Sequence, residues 1–329
     1  MLQTDPESFM KFVLKIGYEI GGDMEQKVRL HDQRAFDALP ELAMFIASYT
    51  VTKTFFRPTS APRAIEDCLC FYFKNIVGDD PLRSKTRSSE TAPEAPRVHV
   101  FPATQSFISH FRKGAHVNVV SIFISAGYLR SFLNQDAGLF PFLFDRRSDF
   151  LIEEILTDDI LRSLDEVVKI KPGGVLSSFR TKMKAMELLM HLLSSLGKRQ
   201  QTVHQRLSAH DITAIYRVRD RLIASLSVPA SISELKRIAA MNELKMRRIF
   251  TQVFGRGIYD YHQHLRMLEA ARLLRQEQLQ VSDAGYRLGF ENLSHFSRLF
   301  ERHIGIKPKK YSMVTPKDEP SGKSGDEQD

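Results

Sequence analysis

The stretch Met241-Asn242-Glu243-Leu244-Lys245-Met246-Arg247-Arg248-Ile249-Phe250-Thr251-Gln252-Val253-Phe254-Gly255 has a second copy, Glu291-Asn292-Leu293-Ser294-His295-Phe296-Ser297-Arg298-Leu299-Phe300-Glu301-Arg302-His303-Ile304-Gly305. Asn242 falls in step with Asn292, Met246 with Phe296, Arg248 with Arg298, Ile249 with Leu299, Phe250 with Phe300, Phe254 with Ile304 and Gly255 with Gly305. Each copy opens on a residue suited to an N-cap, carries apolar residues at helical spacing on one face, and stops at a glycine suited to a helix C-cap. The pattern predicts one helix built twice.

A helix-turn-helix needs a supporting helix and a tight turn before the helix that enters the DNA groove. Both copies have that prelude. Residues 231–239 begin with a capping-box pattern, Ser231 with Glu234, and run into the turn Ala240-Met241-Asn242. In the second copy, residues 282–288 lead into Gly289-Phe290, where glycine supplies the left-handed backbone angle of a sharp turn. The small residues Ala239 and Gly285 stand where the two helices of each unit cross closely. Between the copies, residues 258–276 read as one amphipathic helix with Ile258, Tyr261, Leu265, Leu268, Ala271 and Leu274 on its inner face. At ~1.5 Å per residue such a spacer is roughly 28 Å long, enough to hold two recognition helices about one DNA turn, ~34 Å, apart.

On these residues, 211–311 resemble the double helix-turn-helix DNA-binding domain of the AraC/XylS transcriptional regulators. The run from Leu265 to Leu274 corresponds to the family's linker-helix pattern, and Gly289-Phe290 through Phe296-Ser297-Arg298-Leu299-Phe300 to its signature, closed by the run from Gly305 to Tyr311. Lys236 stands where the family usually has a small alanine, and Ala284 where a larger aliphatic residue is common. The resemblance covers about a third of the chain. It implies a cytoplasmic transcription factor, often an activator, whose partners are a double-stranded promoter operator and RNA polymerase. It also implies a homodimer, a small-molecule effector held in a cupin-like barrel, and no enzymatic activity or cofactor.

Helical geometry and the matching motif positions assign the DNA-reading residues. On the first helix Leu244, Lys245, Arg247 and Arg248 face outward while Met246, Ile249 and Phe250 face the core. The two arginines suit guanine edges or phosphates, and Leu244 suits a thymine methyl. The outward residues of the second helix are Leu293, Ser294, His295 and Arg298, of which only Arg298 is a strong bidentate donor, so this helix should anchor more than it specifies. Asn292, as N-cap, and the amides behind it are placed to meet a phosphate.

Charge agrees with that placement, because nucleic-acid binding needs basic residues on the part that meets phosphate. Residues 211–315 hold 18 Lys and Arg against 10 Asp and Glu. Residues 1–210 hold 27 against 24, and residues 316–329 hold 2 against 5. The chain's net +8 thus resides in the helix-turn-helix segment.

The remainder predicts an α+β chain: a β-rich module over 1–145, which the family resemblance implies is cupin-like, a helical pair over 146–196, a linker over 197–210, the DNA-binding domain over 211–315 and a polar acidic tail over 316–329. An amphipathic helix is expected at 7–18, with Phe9, Phe12, Val13 and Ile16 on one side. Apolar runs at 44–56, 68–77, 97–101, 106–111 and 117–124 read as strands, and 81–96 as a proline-bearing surface loop. Residues 126–133 and 150–170 regain helical spacing, the latter through Ile152, Ile155, Leu156, Ile160, Leu164 and Val167. The helix expected at 175–196 carries the stripe Leu176, Phe179, Met183, Met186, Met190 and Leu193, apolar beyond what one partner helix needs. That pair either forms an antiparallel dimer surface or caps the sheet within one monomer.

No stretch reaches ~18 uncharged apolar residues, which predicts neither a transmembrane helix nor a signal peptide. Cys68 and Cys70 alternate along a strand, point the same way, and cannot make a four-sulfur zinc site. His99, His110 and His116 lie among the strands without the His-x-His pair and downstream Glu of a metal cupin, so no metal site is expected. The chain has no phosphate-cradling glycine loop, Gly-x-Ser-x-Gly elbow or His-Glu-x-x-His. Phe55, Phe71, Phe73, Phe101, Phe107, Phe111 and Phe123 line the inside of the β-rich module, either as plain core or as the wall of an effector cavity. An effector there should act through the helical pair and the linker, by changing how two DNA-binding domains are presented; the alternative is a DNA-binding regulator whose N-terminal module is only an oligomerisation scaffold with no ligand.

Overall fold

The computed structural model describes residues 26–39, 41–59, 67–74, 96–105, 107–145, 150–170, 174–199 and 206–313. The helix expected at 7–18, nearly all of the loop 81–96, and the acidic tail lie outside these. By packing, the chain divides into two compact units. One takes in the described residues up to Tyr216 together with Ala239–Gly257, and the other Arg217–Ile238 with the described residues from Ile258 onward.

The first unit is built on eight described strands: β1 (Val28–Leu39), β2 (Leu42–Val51), β3 (Phe55–Thr59), β4 (Cys68–Lys74), β5 (Arg97–Pro102), β6 (Phe107–Phe111), β7 (His116–Ser125) and β8 (Ile152–Ile155). Six form an antiparallel sheet in the order β1-β2-β7-β4-β5-β8, and β3 pairs with β6 in a separate ribbon. The β-rich module is thus observed, but no pairing between β1 and β8 closes the sheet into a cupin-like barrel among the described residues.

Alternation decides what each face of the sheet does. Leu42, Met44 and Ile46 of β2, Leu69, Phe71 and Phe73 of β4, Val98 and Val100 of β5, and Val120, Ile122 and Ile124 of β7 bury one face. After β7 come the short helices α1 (Ala126–Leu133) and α2 (Pro141–Phe144), then α3 (Asp158–Lys169) and α4 (Ser177–Leu196). Ile160, Leu164 and Val167 of α3, with Ala185, Leu188, Leu189, Leu192, Leu193 and Leu196 of α4, join the same core. The helical pair therefore caps the sheet within the chain. Four residues of the stripe read from sequence nonetheless face solvent: Leu176, Phe179, Met183 and Met190 are each more than half exposed. Arg34 of β1 donates to the Ile170 and Val168 carbonyls at 2.8 Å each, satisfying the end of α3.

Three expectations need correction. Residues 28–39, left without a strand by the sequence, form β1, an edge strand whose charged residues hide its alternation. Residues 150–170 are not one helix: Ile152–Ile155 pair with β5, and α3 begins only after Thr157, where Asp158 and Asp159 favour a helix N-terminus. The run 44–56 is two strands, broken after Val51.

Helix α5 (Ala209–Ala224) crosses from the first unit into the second, and α6 (Ile232–Ala239), α7 (Glu243–Phe254), α8 (Ile258–Arg275), α9 (Val281–Arg287), α10 (Leu293–Ile304) and α11 (Pro308–Met313) follow. The second unit is cored by Met267, Ala270, Leu273 and Leu274 of α8 against Ala284, Leu288, Phe290, Phe296 and Phe300. The spacer α8 has the expected length but not the expected amphipathicity. Besides the predicted inner positions, His262, Gln263, Arg266, Met267, Ala270 and Leu273 are buried, and Leu268 only partly so.

Candidate nucleic-acid interface

The two repeated helices are terminated by the same chemistry. Asn242 accepts a hydrogen bond from the Lys245 amide at 2.8 Å, and Asn292 one from the His295 amide at 3.0 Å. Gly255 (φ 71°) and Gly305 (φ 90°) close α7 and α10, donating to Thr251 and Glu301 carbonyls at 2.8 Å. In α7, Met246, Ile249 and Phe250 are buried, whereas Leu244 is 78% exposed and Arg247 and Arg248 face solvent. In α10, Phe296 and Phe300 are buried while Ser294, His295 and Arg298 are exposed. Leu293 is half-buried, because its Cδ2 lies where a Cβ on Gly285 would come within 2.8 Å. That close approach is the reason for the glycine.

Two outward residues are engaged within the fold. Lys245 meets Asp211 at 2.7 Å, and Arg247 meets Glu243 at 2.8 Å one turn back on its own helix. Partial burial raises the Asp211 carboxyl, but Lys245 and the Ser208 hydroxyl outweigh it and hold the group below the usual carboxylate range. At the start of α6, Ser231 accepts from the Glu234 amide at 3.2 Å, while the Glu234 carboxylate goes to Arg221 at 2.6 Å.

The turn before α10 is fixed by a residue that sequence reasoning placed in a motif without giving it a role. Arg266 of α8 donates to the Leu288 carbonyl at 2.6 Å and to Gln263 at 3.1 Å, with its guanidinium 3.8 Å from the Phe290 ring centroid. Burial pulls its pKa below the ordinary arginine value. Gly289, in the same turn, has φ 76°, and a Cβ on it would lie 2.5 Å from the Ser227 carbonyl oxygen. In the first copy the left-handed residue is Ala240, at φ 51°.

In the β-rich module the phenylalanines do not share one wall. Phe71 and Phe73 belong to the core beneath α3 and α4. Phe101 and Phe123 lie on alternate positions of β5 and β7, on the opposite face, where Phe123 meets Phe45 edge-on at 5.5 Å. Phe111 stacks on Phe55 at 4.8 Å and approaches Tyr49 of that same face. Phe107 is placed by its pairing with Thr59. Cys68 and Cys70 are buried free thiols, and burial pushes Cys70 upward in pKa. His99 is buried 3.2 Å from Glu153, and His116 bonds Thr50 at 3.2 Å. Among the described residues no three His, Cys, Asp or Glu side chains are grouped to hold a metal ion, and no helix is long and apolar enough to cross a membrane.

A family described as "Helix-turn-helix domain" matches residues 235–313. The HTH-type transcriptional activator RhaR of Escherichia coli strain K12 is 29% identical over 126 residues, 38% of this chain and 45% of that protein. RhaR of Shigella boydii serotype 4 is 28% identical over 134 residues, 41% of this chain and 47% of that protein. The chain thus spans about half the length of these curated relatives, which are named as activators of transcription and not as enzymes. Among solved structures, a probable AraC family transcriptional regulator from Rhodopseudomonas palustris CGA009 shares 24% identity over 30% of this chain and 94% of that one, with a TM-score of 0.29. ToxT from Vibrio cholerae O395 shares 15% identity over 83% of this chain and 98% of that one, with a TM-score of 0.30. Residues 235–313 of the chain are thus a helix-turn-helix segment similar to that of these transcriptional activators.

Proposed function

We propose that this protein is a cytoplasmic transcriptional regulator that binds promoter DNA sequence-specifically through α7 and α10. The observation that carries this reading is the matched pair of helices, each capped by asparagine and glycine, apolar behind, and open in front. Leu244, Lys245, Arg247 and Arg248 read base edges and clamp phosphates from α7. Leu293, Ser294, His295 and Arg298 do so from α10, while Asn292 holds a phosphate at the helix N-terminus. The basic excess of residues 211–315 supplies the sequence-independent attraction.

The rest of the function follows the same logic. RNA polymerase is the protein partner such a regulator meets at a promoter, and the named relatives favour activation. The exposed side of α4, Leu176, Phe179, Met183 and Met190, is the face on which two copies pair. A small-molecule effector would sit on the sheet face that carries Phe101 and Phe123, beside Phe55 and Phe111. The packing of Phe71 and Phe73 into the helical core favours, for those two, the alternative of a module that only assembles the protein.

The affinity for a selected sequence is to be compared with that for random DNA at fixed salt, with and without a panel of small molecules. A specificity ratio of roughly 10³ or more supports the regulator, and a change in that ratio with one compound supports the effector. Equal affinity for all sequences would overturn the reading.

A further inference from the structure

The segment that leaves α4 does not run free. Arg199, three residues past the end of α4, lies between strand β8 and helix α7 with its side chain only 9% exposed. Its Nη1 donates to the Glu153 carbonyl at 3.2 Å and to the Glu154 carboxylate. Its Nη2 donates to the carbonyls of Gln252 and Val253 in the last turn of α7, at 3.1 and 2.9 Å. One planar guanidinium therefore joins an edge strand of the sheet to the C-terminal end of the first recognition helix, where carbonyls lack helical partners and positive charge is favoured. The fit is close: a Cβ on Gly255 would lie 2.7 Å from Arg199 Cζ.

We propose that Arg199 tethers the first recognition helix to the β-rich module, and that the tethered state restrains DNA binding until the Arg199–Glu154 pair opens. This rests on the reading of α7 as a DNA-contacting helix. The grip is at the end of α7 away from Leu244, Arg247 and Arg248, so it restricts the pose of the helix and leaves its reading face uncovered. The other end is engaged too, since Lys245 is paired with Asp211. Packing accordingly places Ala239–Gly257 with the sheet. A helix held at both ends settles into a groove only by giving up these contacts or by accepting a poorer pose, and either weakens binding.

The choice of a buried ion pair suits a releasable contact, because desolvation opposes it. Burial raises the Glu154 carboxyl against the pull of Arg199, and burial lowers Arg199 in turn. Among the described residues the strand that carries Glu154 is bonded on one side only, to β5, with Glu154 opposite Val98. A shift of that edge reaches α7 through Arg199 as well as through the direct packing of the helix beside the strand.

The test uses the full chain with Arg199→Met and Glu154→Met together, so that no unpaired charge is left buried. The expected result is ~5-fold or tighter binding to the selected DNA at fixed salt, within the usual range of coupling between sites. The dependence on salt should be unchanged, since no phosphate contact is added. Hydrogen exchange of the α7 amides should quicken while that of α10 does not. Arg199→Lys, which keeps the charge but cannot span both partners, should fall between; it decides the matter if the double variant does not fold. Unchanged or weaker DNA binding by folded variants, or unchanged α7 exchange, overturns the tether. Loss of sequence preference in the unaltered protein would instead overturn the regulator reading, and the exchange measurement would still judge the tether.

Discussion

Gly289→Ala separates two costs that a glycine can avoid. Its φ of 76° lies in the left-handed region, where a Cβ costs ~1–2 kcal/mol. The added methyl also meets the Ser227 carbonyl oxygen at 2.5 Å, and because that atom is backbone the turn itself has to shift, a further ~1–3 kcal/mol. The expected loss is ~2–5 kcal/mol in the unit that carries α10. Gly305→Ala is the control. Its φ of 90° is as strained, but nothing lies within 4 Å of its Cβ position, so only the ~1–2 kcal/mol of backbone strain should be lost. Urea unfolding of both full-length variants, with hydrogen exchange of the α10 amides to assign the loss, makes the comparison. Equal losses in the two, or a loss at Gly289 below ~1 kcal/mol, would refute the close approach as the reason for that glycine.

Other outcomes follow from the same geometry. Ala240→Gly relieves a left-handed alanine in the first turn and should raise stability by ~0.5–1 kcal/mol in the same urea experiment, whereas a loss would mean the alanine methyl is needed for packing. Arg247→Ala should cost ~1–3 kcal/mol on the preferred DNA and relax preference at one base pair; a uniform loss on every sequence would make it a phosphate clamp. Met183→Asp, placed on the exposed side of α4, should leave folding intact and weaken binding to a paired site far more than to an isolated half-site. Equal losses on the two DNAs would remove dimerisation through α4.

The C-terminal half was legible because its signals are local. Caps, a repeated apolar spacing and two turns fix which side of α7 and α10 is buried, and Met246, Ile249, Phe250, Phe296 and Phe300 lie where spacing put them. Leu293 is the partial exception, since its packing against Gly285 depends on the crossing of two helices. The β-rich module was less legible for a physical reason. Alternation along β4 says that Phe71 and Phe73 share a side, but not which side the helices cover. The edge strand β1 carries charges that mask its period, and the four residues of β8 mimic helical spacing when read with the helix that follows. Arg199 and Arg266 were illegible, because each is defined by carbonyls distant in sequence, at Gln252, Val253 and Leu288.

The most direct test of the central claim is selection of bound DNA from a random library by the full-length protein, repeated with Arg247→Ala and with Arg298→Ala. A sequence-specific regulator built on two recognition helices should enrich one site with two specified segments. Arg247→Ala should degrade one segment, and Arg298→Ala should weaken the other less sharply. No enriched sequence, or enrichment that neither substitution alters, would contradict the assignment of α7 and α10 as the helices that read DNA.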